Sequence, residues 1–367
     1  MVGHTWPVRA TPPADVVEDA ALIGDLRRAI GDDAVHVHAL DRALYARDAS
    51  TIDVGAAGAV CFPTDTPGVA ACVAVAGRYG RPFVPRGSGT GLAGGAVPLD
   101  GAVVVSTTRM NAVRSVDADQ RVAWVEPGVI NLDLTRALTP YGMHFAPDPS
   151  SQQACSIGGN VANNAGGPHC LAYGVTSAHV LALEVVLADG TVTVLGNPDG
   201  VGDTAGYDLR GAFVGSEGTF GIATAVAVRL TPNPPAVQTM LVDFARVEDA
   251  AAAVSAVVAA GVVPAALEMM DARITKAVED FVHAGFPTDA AAVLLVEVDG
   301  LPGGVAADAA LVAEVVRAHG ARTVRVAADE AERALLWKGR KTAFGAVARI
   351  LPNYYLHDTV VPRAKLV

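Results

Sequence analysis

The chain has 367 residues, which is enough for two or three domains that each bury a hydrophobic core. Hydrophobic residues make up 51% of the chain and charged residues 18%, a composition that argues against intrinsic disorder. The formal net charge of −11 argues against a nucleic-acid-binding protein, because nucleic-acid phosphates favour a basic surface.

The N-terminal residues and the cysteines indicate a reduced, cytoplasmic protein. Residues 1–7 lack the apolar core of a signal peptide. Residues 250–267 are apolar, but Gly261 and Pro264 interrupt them, so a helix followed by a strand is favoured over a membrane span. The four cysteines are widely spaced and form no C-x-x-C pattern, which argues against zinc-ribbon and iron–sulfur sites. We therefore predict no metal site.

Hydrophobic periodicity predicts a helix followed by mixed strands and helices in the first two thirds of the chain. Residues 15–30 have apolar side chains at helical spacing, and Gly31 is expected to end this helix. Asp189-Gly190 is a strong hairpin-turn signal. The predicted strands are 60–63, 81–85, 103–106, 123–126, 180–188, 192–195 and 222–230, and further helices are predicted at 67–79 and 132–141.

Residues 231–235, Thr-Pro-Asn-Pro-Pro, form the clearest domain boundary in the sequence. Beyond them, strands and helices alternate in a way that suggests split β-α-β units and a ferredoxin-like layer. The predicted strands are 239–244, 262–270, 292–298 and 323–327, and the predicted helices are 247–260, 271–283 and 305–319.

Residues 85–95, PRGSGTGLAGG, contain five glycines directly after a short apolar strand. Such a backbone can turn its N–H groups toward one point and bind an anion, usually a phosphate. Residues 89–94 also fit G-x-G-x-x-G, but the next predicted element is a strand instead of a helix, so the context of a Rossmann fingerprint is missing. An ordinary turn does not need five glycines. The loop therefore predicts a nucleotide cofactor.

Two further glycine-rich stretches follow, CSIGGNVANNAGG at residues 155–167 and GSEGTFGI at residues 215–222. Three such loops in this order resemble the FAD-binding domain of the vanillyl-alcohol oxidase/p-cresol methylhydroxylase flavoprotein superfamily. The motifs LEMMD at residues 267–271 and WKGRK at residues 337–341 resemble the FAD-linked subunit of glycolate oxidase and its D-lactate dehydrogenase relatives. The resemblance extends from about residue 35 to the end of the chain.

This resemblance implies an α+β fold. A two-subdomain FAD-binding domain of the p-cresol methylhydroxylase (PCMH) type would be followed by a truncated ferredoxin-like α/β cap domain. The expected boundaries are 1–54 for an N-terminal helical segment, 55–233 for the FAD-binding domain, split near residue 108, and 234–367 for the substrate-binding cap. The family continues with a His-Ala-Gly-Asp-Gly-Asn-like segment and a Gly-Glu-His-like segment, which this sequence lacks. We therefore expect a cap that is incomplete at its C-terminus.

The resemblance also implies a reaction, the FAD-dependent oxidation of a small 2-hydroxy acid, glycolate or D-lactate, to the 2-oxo acid by hydride transfer to flavin N5. In the family, a second flavin-type subunit and an iron–sulfur subunit carry electrons to a membrane quinone. We therefore expect a location peripheral to the inner face of the membrane through these partners, without direct membrane insertion. The alternative is a non-catalytic FAD-binding or assembly subunit, or an inactive truncated product.

The FAD site implied by the resemblance uses all three glycine-rich loops. The backbone of residues 86–91 would bind the pyrophosphate, and Ile222 would pack near the adenine. The three asparagines of the second loop either contact the edges of the flavin or simply tolerate a left-handed conformation. The first loop has no histidine, so we expect noncovalent FAD. The predicted FAD-binding residues are Pro85, Arg86, Gly87, Ser88, Gly89, Thr90, Gly91, Gly94, Pro147, Asp148, Ile157, Gly158, Gly159, Asn160, Asn163, Asn164, Gly167, Gly218 and Ile222.

Arg340 is the predicted partner of the substrate carboxylate, because arginine forms bidentate pairs with carboxylates. It matches the arginine of the family's Trp-x-x-Arg segment. The alternative is that it belongs, with its lysine neighbours, to a solvated basic face. His169, His357 and His144 are candidates for the base that takes the hydroxyl proton, although a lone histidine is more often structural than catalytic. The predicted catalytic residues are Arg340, His169 and His357.

Overall fold

The fold is taken from a computed structural model, which describes residues 19–50, 53–99, 101–197, 205–351, 354–362 and 365. Contacts divide the chain into two compact units. The first consists of Met1–Gly166 and Val175–Pro232, and the second of Gly167–Gly174 and Asn233–Val367. Residues 15–18 of the first predicted helix lie outside the described residues.

The first unit begins with a small α/β layer. Its sheet has the strand order β1-β2-β4-β3, in which β2, β4 and β3 are parallel. The Asp19 side chain caps the first helix by accepting a hydrogen bond from Leu22 N–H, and Gly31 ends it at φ +92°. The elements are α1 (Ala20–Ile30), β1 (Val35–His36), α2 (Ala39–Leu44), β2 (Ala59–Cys61), α3 (Thr66–Arg78), β3 (Phe83–Arg86) and β4 (Val103–Ser106).

A five-stranded antiparallel sheet forms the rest of the first unit, with the order β5-β6-β10-β8-β9. Its core includes Phe145, Leu134 and Leu183, each at most 1% exposed. The elements are β5 (Val113–Asp117), β6 (Val122–Val125), α4 (Asn131–Leu138), β7 (Met143–His144), α5 (Ile157–Asn163), β8 (Val180–Val186), β9 (Val192–Gly196), α7 (Leu209–Phe213), β10 (Ile222–Arg229) and β11 (Thr231–Pro232), while α6 (Cys170–Tyr173) belongs to the second unit.

The second unit contains an antiparallel sheet with the order β13-β14-β12-β15. Two helices, α8 and α10, cover one face of this sheet, and α9, α11 and α12 cover the other. This strand order, with helices after the first and third strands, agrees with the predicted ferredoxin-like cap. The elements are β12 (Ala236–Phe244), α8 (Val247–Ala259), β13 (Ala266–Asp271), α9 (Ala272–Val282), β14 (Ala292–Gly300), α10 (Pro302–Ala318), β15 (Ala321–Val326), α11 (Glu330–Lys341) and α12 (Ala343–Val347).

One segment differs from the expected structure in a way that matters for the site. Residues 157–163 were expected to be loop but form α5, although Gly158 and Gly159 are poor helix formers. The Ser156 hydroxyl accepts a hydrogen bond from Gly159 N–H at the start of this helix, and Asn164 ends it at φ +47°. Of the described helices, none is both long enough and apolar enough to cross a bilayer.

Gly339 allows α11 to pack closely against the rest of the second unit. A Cβ on Gly339 would lie 2.6 Å from the buried Phe286 ring. We expect Gly339→Ala to lower the free energy of unfolding by about 1–3 kcal/mol, because the ring has little room to move. The control is Gly304→Ala in α10, where an added Cβ meets nothing within 4 Å. That variant should be stabilised by up to about 1 kcal/mol. Urea denaturation of both variants would measure their free energies of unfolding. Equal values for the two variants would contradict the close packing of Gly339 against Phe286.

Candidate functional site

A groove in the first unit brings the three glycine-rich stretches together. The space between its atoms, part of it open to solvent, is about 810 Å³. The predicted residues that line it are Pro85, Arg86, Gly87, Ser88, Gly89, Thr90, Gly91, Gly158, Gly159, Asn163, Gly218 and Ile222. Further lining residues that sequence reasoning missed include Asp48, Thr107, Pro127, Ser156, Phe213 and Glu217.

The first loop presents unused hydrogen-bond donors to this groove. In the described part of the chain, nothing accepts a hydrogen bond from the backbone N–H groups of residues 87–91. The Arg86 side chain supports the loop, since its Nη1 donates to the carbonyl oxygen of Ala96 at 3.2 Å. Gly89 has φ +72°, and a Cβ there would lie 2.3 Å from the Arg86 guanidinium. The loop therefore needs glycine at this position to keep its shape.

The three stretches approach one another, and the neighbouring Pro127, so closely that added Cβ atoms would not fit between them. A Cβ on Gly87 would lie 2.3 Å from Ser156 Oγ, and one on Gly158 would lie 2.7 Å from Pro127 Cβ. A Cβ on Gly218, where φ is +81°, would lie 2.9 Å from Pro85 Cγ. The glycines thus form a surface of bare backbone, which allows the close approach that a phosphate group needs.

Backbone hydrogen bonds attach the third stretch to the end of α5. The N–H groups of Gly215 and Glu217 donate to the carbonyl oxygens of Val161 and Ala162, both at 2.8 Å. Glu217 has φ +52°, an uncommon conformation for a residue with a side chain. Ser156 is the missed lining residue with a recognisable sequence signal, because serine is a preferred residue just before a helix.

The three asparagines of the second stretch have different environments. Asn160 is buried, and its Oδ1 accepts a hydrogen bond from Asn131 Nδ2 at 2.9 Å. Asn164 adopts the left-handed conformation and accepts a hydrogen bond from Ser177 N–H. Asn163 lines the groove, while its Nδ2 donates to the carbonyl oxygen of Gly159. The structure thus uses the Asn160 and Asn164 side chains to hold the protein chain together.

The remaining predicted FAD residues are not among those that line the groove. Pro147 contributes its carbonyl oxygen to a hydrogen bond with Asn131 Nδ2, and Asp148 is buried. Contacts of these residues with FAD stay predictions. The residues concerned are Gly94, Pro147, Asp148, Ile157, Asn160, Asn164 and Gly167.

A buried carboxylate, Glu297 on β14, lies at the centre of a second cluster, within the second unit. It is 2% exposed. Arg333 donates to both carboxylate oxygens, from Nε and Nη2, each at 2.9 Å. Trp337 Nε1 donates at 2.6 Å, and the Thr239 hydroxyl also donates. His169 Nε2, from the segment Gly167–Gly174, lies 3.1 Å from Oε1. This carboxylate therefore connects two strands, a helix and a distant segment of sequence.

Hydrogen bonding decides the charge of Glu297. Burial alone would raise the pKa of its carboxyl group, but the hydrogen bonds from His169 and Arg333 and the positive charge of Arg333 lower it well below the usual range. Nearby, the Tyr173 hydroxyl donates a hydrogen bond to Asp299. Burial is the main cause that raises the pKa of Tyr173, and this hydrogen bond is the second. The segment that contains His169 and Tyr173 is thus bound to β14 by two carboxylates.

Helix α11 presents Arg333, Trp337 and Arg340 at a spacing that places them along one side of the helix. The first two bind Glu297, and Arg340 forms an ion pair with Glu268 on β13. Glu268 and Glu297 lie on the same face of the sheet, since Ala266 pairs with Glu297 and Glu268 is two residues further along β13. The Arg340 side chain is 24% exposed, and within the described ranges its buried Nε has no hydrogen-bond partner.

The predicted catalytic residues are only partly brought together. His169 and Arg340 share α11 as a neighbour, because the His169 ring lies 5.1 Å from the Trp337 ring and Arg340 is part of the helix. His357 is exposed, with its ring 4.3 Å from that of Tyr355. His144 belongs to the short β7–β11 ladder. Across the described residues, His, Cys, Asp and Glu side chains form no cluster of three that could hold a metal ion.

Glu297→Gln should strongly destabilise the second unit, because the partly buried Arg333 would lose its bidentate partner and the donors around the buried side chain would lose a charged acceptor. We expect a loss of about 3–5 kcal/mol at pH 7. The control is Glu330→Gln, which removes the other carboxylate partner of Arg333, 75% exposed, and should cost less than about 1 kcal/mol. Urea denaturation would measure both variants, and similar losses would contradict the central role of Glu297.

The same variant should alter the pH dependence of stability. A lowered pKa in the folded state means that ionised Glu297 stabilises the protein above about pH 4.3, the ordinary value for glutamate. This contribution is lost as the pH falls below that value. The difference in free energy of unfolding between the wild type and Glu297→Gln, measured by urea denaturation, should therefore shrink from pH 5 to pH 3. A difference that stays constant over this range would argue against a stabilising ionised Glu297.

Comparison with known proteins places both units in flavoprotein families. Residues 57–196 match the FAD binding domain family, and residues 233–367 match the C-terminal domain of FAD linked oxidases. The crystal structure of p-cresol methylhydroxylase with substrate bound superimposes with a TM-score of 0.70 at 19% identity, over 89% of this chain and 71% of that one. This likeness confirms the predicted PCMH-type fold.

Two curated relatives share much more sequence. The glycolate oxidase subunit GlcD of Escherichia coli (strain K12) is 47% identical over 307 residues, which are 84% of this chain and 61% of the relative. GlcD of Bacillus subtilis (strain 168) is 39% identical over 325 residues, 89% of this chain and 69% of the relative. The chain spans about three fifths of the length of the first relative. It belongs to the family of FAD-linked oxidases that includes the glycolate oxidase subunit GlcD.

Proposed function

We propose that this protein oxidises a small 2-hydroxy acid, glycolate or D-lactate, to the 2-oxo acid with FAD as the hydride acceptor. The observation that carries this proposal is the 47% identity with a glycolate oxidase subunit over 307 residues. An alignment of that length necessarily includes residues of both units. The FAD-binding groove and the cap sheet are therefore both part of the similarity.

The groove of the first unit fits the pyrophosphate of FAD. Its first loop offers N–H donors at residues 87–91 that have no partner within the described chain, and the glycines of all three stretches leave no Cβ in the way. We assign the pyrophosphate to residues 86–91 and the adenine to the neighbourhood of the buried Ile222. When bound, FAD supplies an electron acceptor at N5 that the protein's own side chains lack.

Arg340 is the proposed ligand of the substrate carboxylate. Its Nε is buried and meets no hydrogen-bond acceptor in the part of the chain that the structure describes, and an unpaired buried donor is costly unless a ligand satisfies it. A substrate carboxylate could accept a charge-assisted hydrogen bond from this Nε. Glu268 holds the guanidinium in place through the neighbouring terminal nitrogen, Nη2. This half-buried setting supports the ligand role over the alternative of a solvated basic face.

His169 is the proposed acceptor of the substrate hydroxyl proton. Its Nε2 is engaged with Glu297, so proton transfer would use Nδ1. The Glu297 carboxylate would orient the imidazole ring and stabilise it once it is protonated. His357 remains a second candidate, and its exposed position gives it less support.

The relatives are named as subunits, which supports a proposal about partners. We propose that the chain works with a second flavin-type subunit and an iron–sulfur subunit that accept its electrons. Of its four cysteines, Cys61, Cys72 and Cys155 are buried and Cys170 is partly exposed, so the described residues do not offer the four accessible thiolates that an iron–sulfur cluster generally needs. We propose a cytoplasmic location, peripheral to the inner face of the membrane through these partners.

Anaerobic reduction tests the proposed reaction directly. The FAD-loaded chain is mixed with glycolate, and separately with D-lactate, in the absence of oxygen, and the visible band of oxidised flavin is followed. Bleaching by either acid is the expected result. Retained colour with both acids, although dithionite bleaches the same sample, would favour a non-catalytic FAD-binding subunit.

Arg340→Met should slow this bleaching at least about a hundredfold, since a charged hydrogen-bonded pair with the substrate carboxylate would be lost. Lys338→Met on the same helix turn is the control, because Lys338 is exposed, and it should bleach at the wild-type rate. Both variants should keep their FAD. The ratio of flavin absorbance near about 450 nm to protein absorbance near about 280 nm would report this. Equal rates in the two variants would argue against the carboxylate role.

A further inference from the structure

We propose that Asp48 is a ligand of FAD and that its carboxylate accepts a hydrogen bond from a hydroxyl or N–H group of the cofactor. Asp48 lies outside every glycine-rich motif, and no feature of the sequence singles it out. It precedes the first loop by almost forty positions (residue 48 against residue 87). The fold nevertheless places it among the residues that line the groove.

The two oxygens of the Asp48 carboxylate differ in their surroundings. Oδ1 accepts hydrogen bonds from the Ser50 backbone N–H, at 3.0 Å, and from the Ser50 hydroxyl. Among the described residues Oδ2 has no hydrogen-bond partner, although Asp48 is only 7% exposed. A buried carboxylate oxygen without a donor costs free energy in the unliganded protein. A donor that arrives with the ligand would remove this cost.

The position of Asp48 relative to the first loop is fixed. The N–H group of the next residue, Ala49, donates to the carbonyl oxygen of Gly89 at 3.1 Å. Gly55 N–H donates to the carbonyl oxygen of Ala46, which closes the segment that carries Asp48. The carboxylate is therefore held beside the loop that offers its N–H groups to the pyrophosphate.

Arg86 balances the charge of Asp48 but does not supply the missing hydrogen bond. Its guanidinium lies 5.0 Å from the centre of the Tyr45 ring, and its Nη1 donates to Ala96. Burial lowers the pKa of Arg86, while Tyr45 and Asp48 partly offset this effect, so the two charges are close enough to interact. Since a phosphate is itself anionic and accepts hydrogen bonds, the partner of Oδ2 must be a hydroxyl or N–H group of the cofactor.

Asp48→Asn separates this proposal from a purely structural role. The amide oxygen can replace Oδ1 as the acceptor for Ser50, which leaves an NH₂ group where Oδ2 was. Removing a negative charge near the pyrophosphate should by itself tighten FAD binding. Losing a hydrogen bond to a charged acceptor should weaken it by about tenfold or more. The two effects have opposite signs, so the direction of the change identifies the cause.

The experiment titrates FAD-free protein with FAD, follows flavin fluorescence, and measures the melting temperature of the FAD-free form. The control is Asp119→Asn, which removes the same charge from an exposed turn between β5 and β6. We expect a dissociation constant raised at least about tenfold for Asp48→Asn, with the melting temperature of the FAD-free form at or above that of the wild type. Asp119→Asn should change neither quantity.

An unchanged or tighter affinity for FAD in Asp48→Asn would overturn the proposal. A melting temperature of the FAD-free variant below that of the FAD-free wild type would also overturn it, because it would mark Asp48 as a structural partner of Arg86. If Asp48→Asn fails to fold, Ser50→Ala provides the test, because it removes one of the hydrogen bonds that orient the carboxylate and keeps the charge. A several-fold weaker affinity in a normally folded Ser50→Ala variant supports the proposal, and wild-type affinity overturns it.

Discussion

The hydrogen bonds around Glu297 are the constraint on which the second unit depends. A carboxylate that is almost fully removed from water is costly unless each of its oxygens is satisfied. Thr239, His169, Arg333 and Trp337 meet this requirement from three separate pieces of chain, since the last two both belong to α11. Because the directions of these bonds are restricted, the carboxylate determines where α11 and the segment Gly167–Gly174 lie on the sheet. The placement of Arg340 against Glu268 follows from that of the helix.

The first unit obtains its site in the opposite way, by leaving out side chains. Gly87, Gly158 and Gly218 allow three chain segments to come within distances that a Cβ would not permit. The resulting surface has unused N–H donors at residues 87–91 and an unused acceptor at Asp48. A buried acceptor without a partner, as at Asp48, reduces the stability of an empty protein but becomes a favourable contact when a ligand supplies the donor. The groove thus exchanges stability of the free protein for affinity.

Local patterns in the sequence predict most of the framework. Apolar periodicity places β12, β14, α8 and α10, and glycine density locates two of the three loops. Helix α5 escapes this kind of reasoning, because its two glycines disfavour a helix, and the burial of Ile157 and Val161 that stabilises it beside the serine cap exists only in the folded unit. Helix α11 is highly polar, and its anchor, Glu297, is 36 residues from Arg333, a distance over which periodicity carries no information. Asp48 joins the groove only through the fold, so no local pattern could reveal it.

The segment Gly167–Gly174 has a consequence for how the protein is made. The chain leaves the first unit after Gly166, returns after Gly174, and leaves again after Pro232. His169 therefore emerges from the ribosome 128 residues before its partner Glu297. At ordinary elongation rates this is a delay of roughly 6–25 seconds, far longer than the formation of a helix or hairpin. During that time the nascent chain carries this insertion without the cap sheet on which it finally lies, while the strands on either side of it are already free to associate.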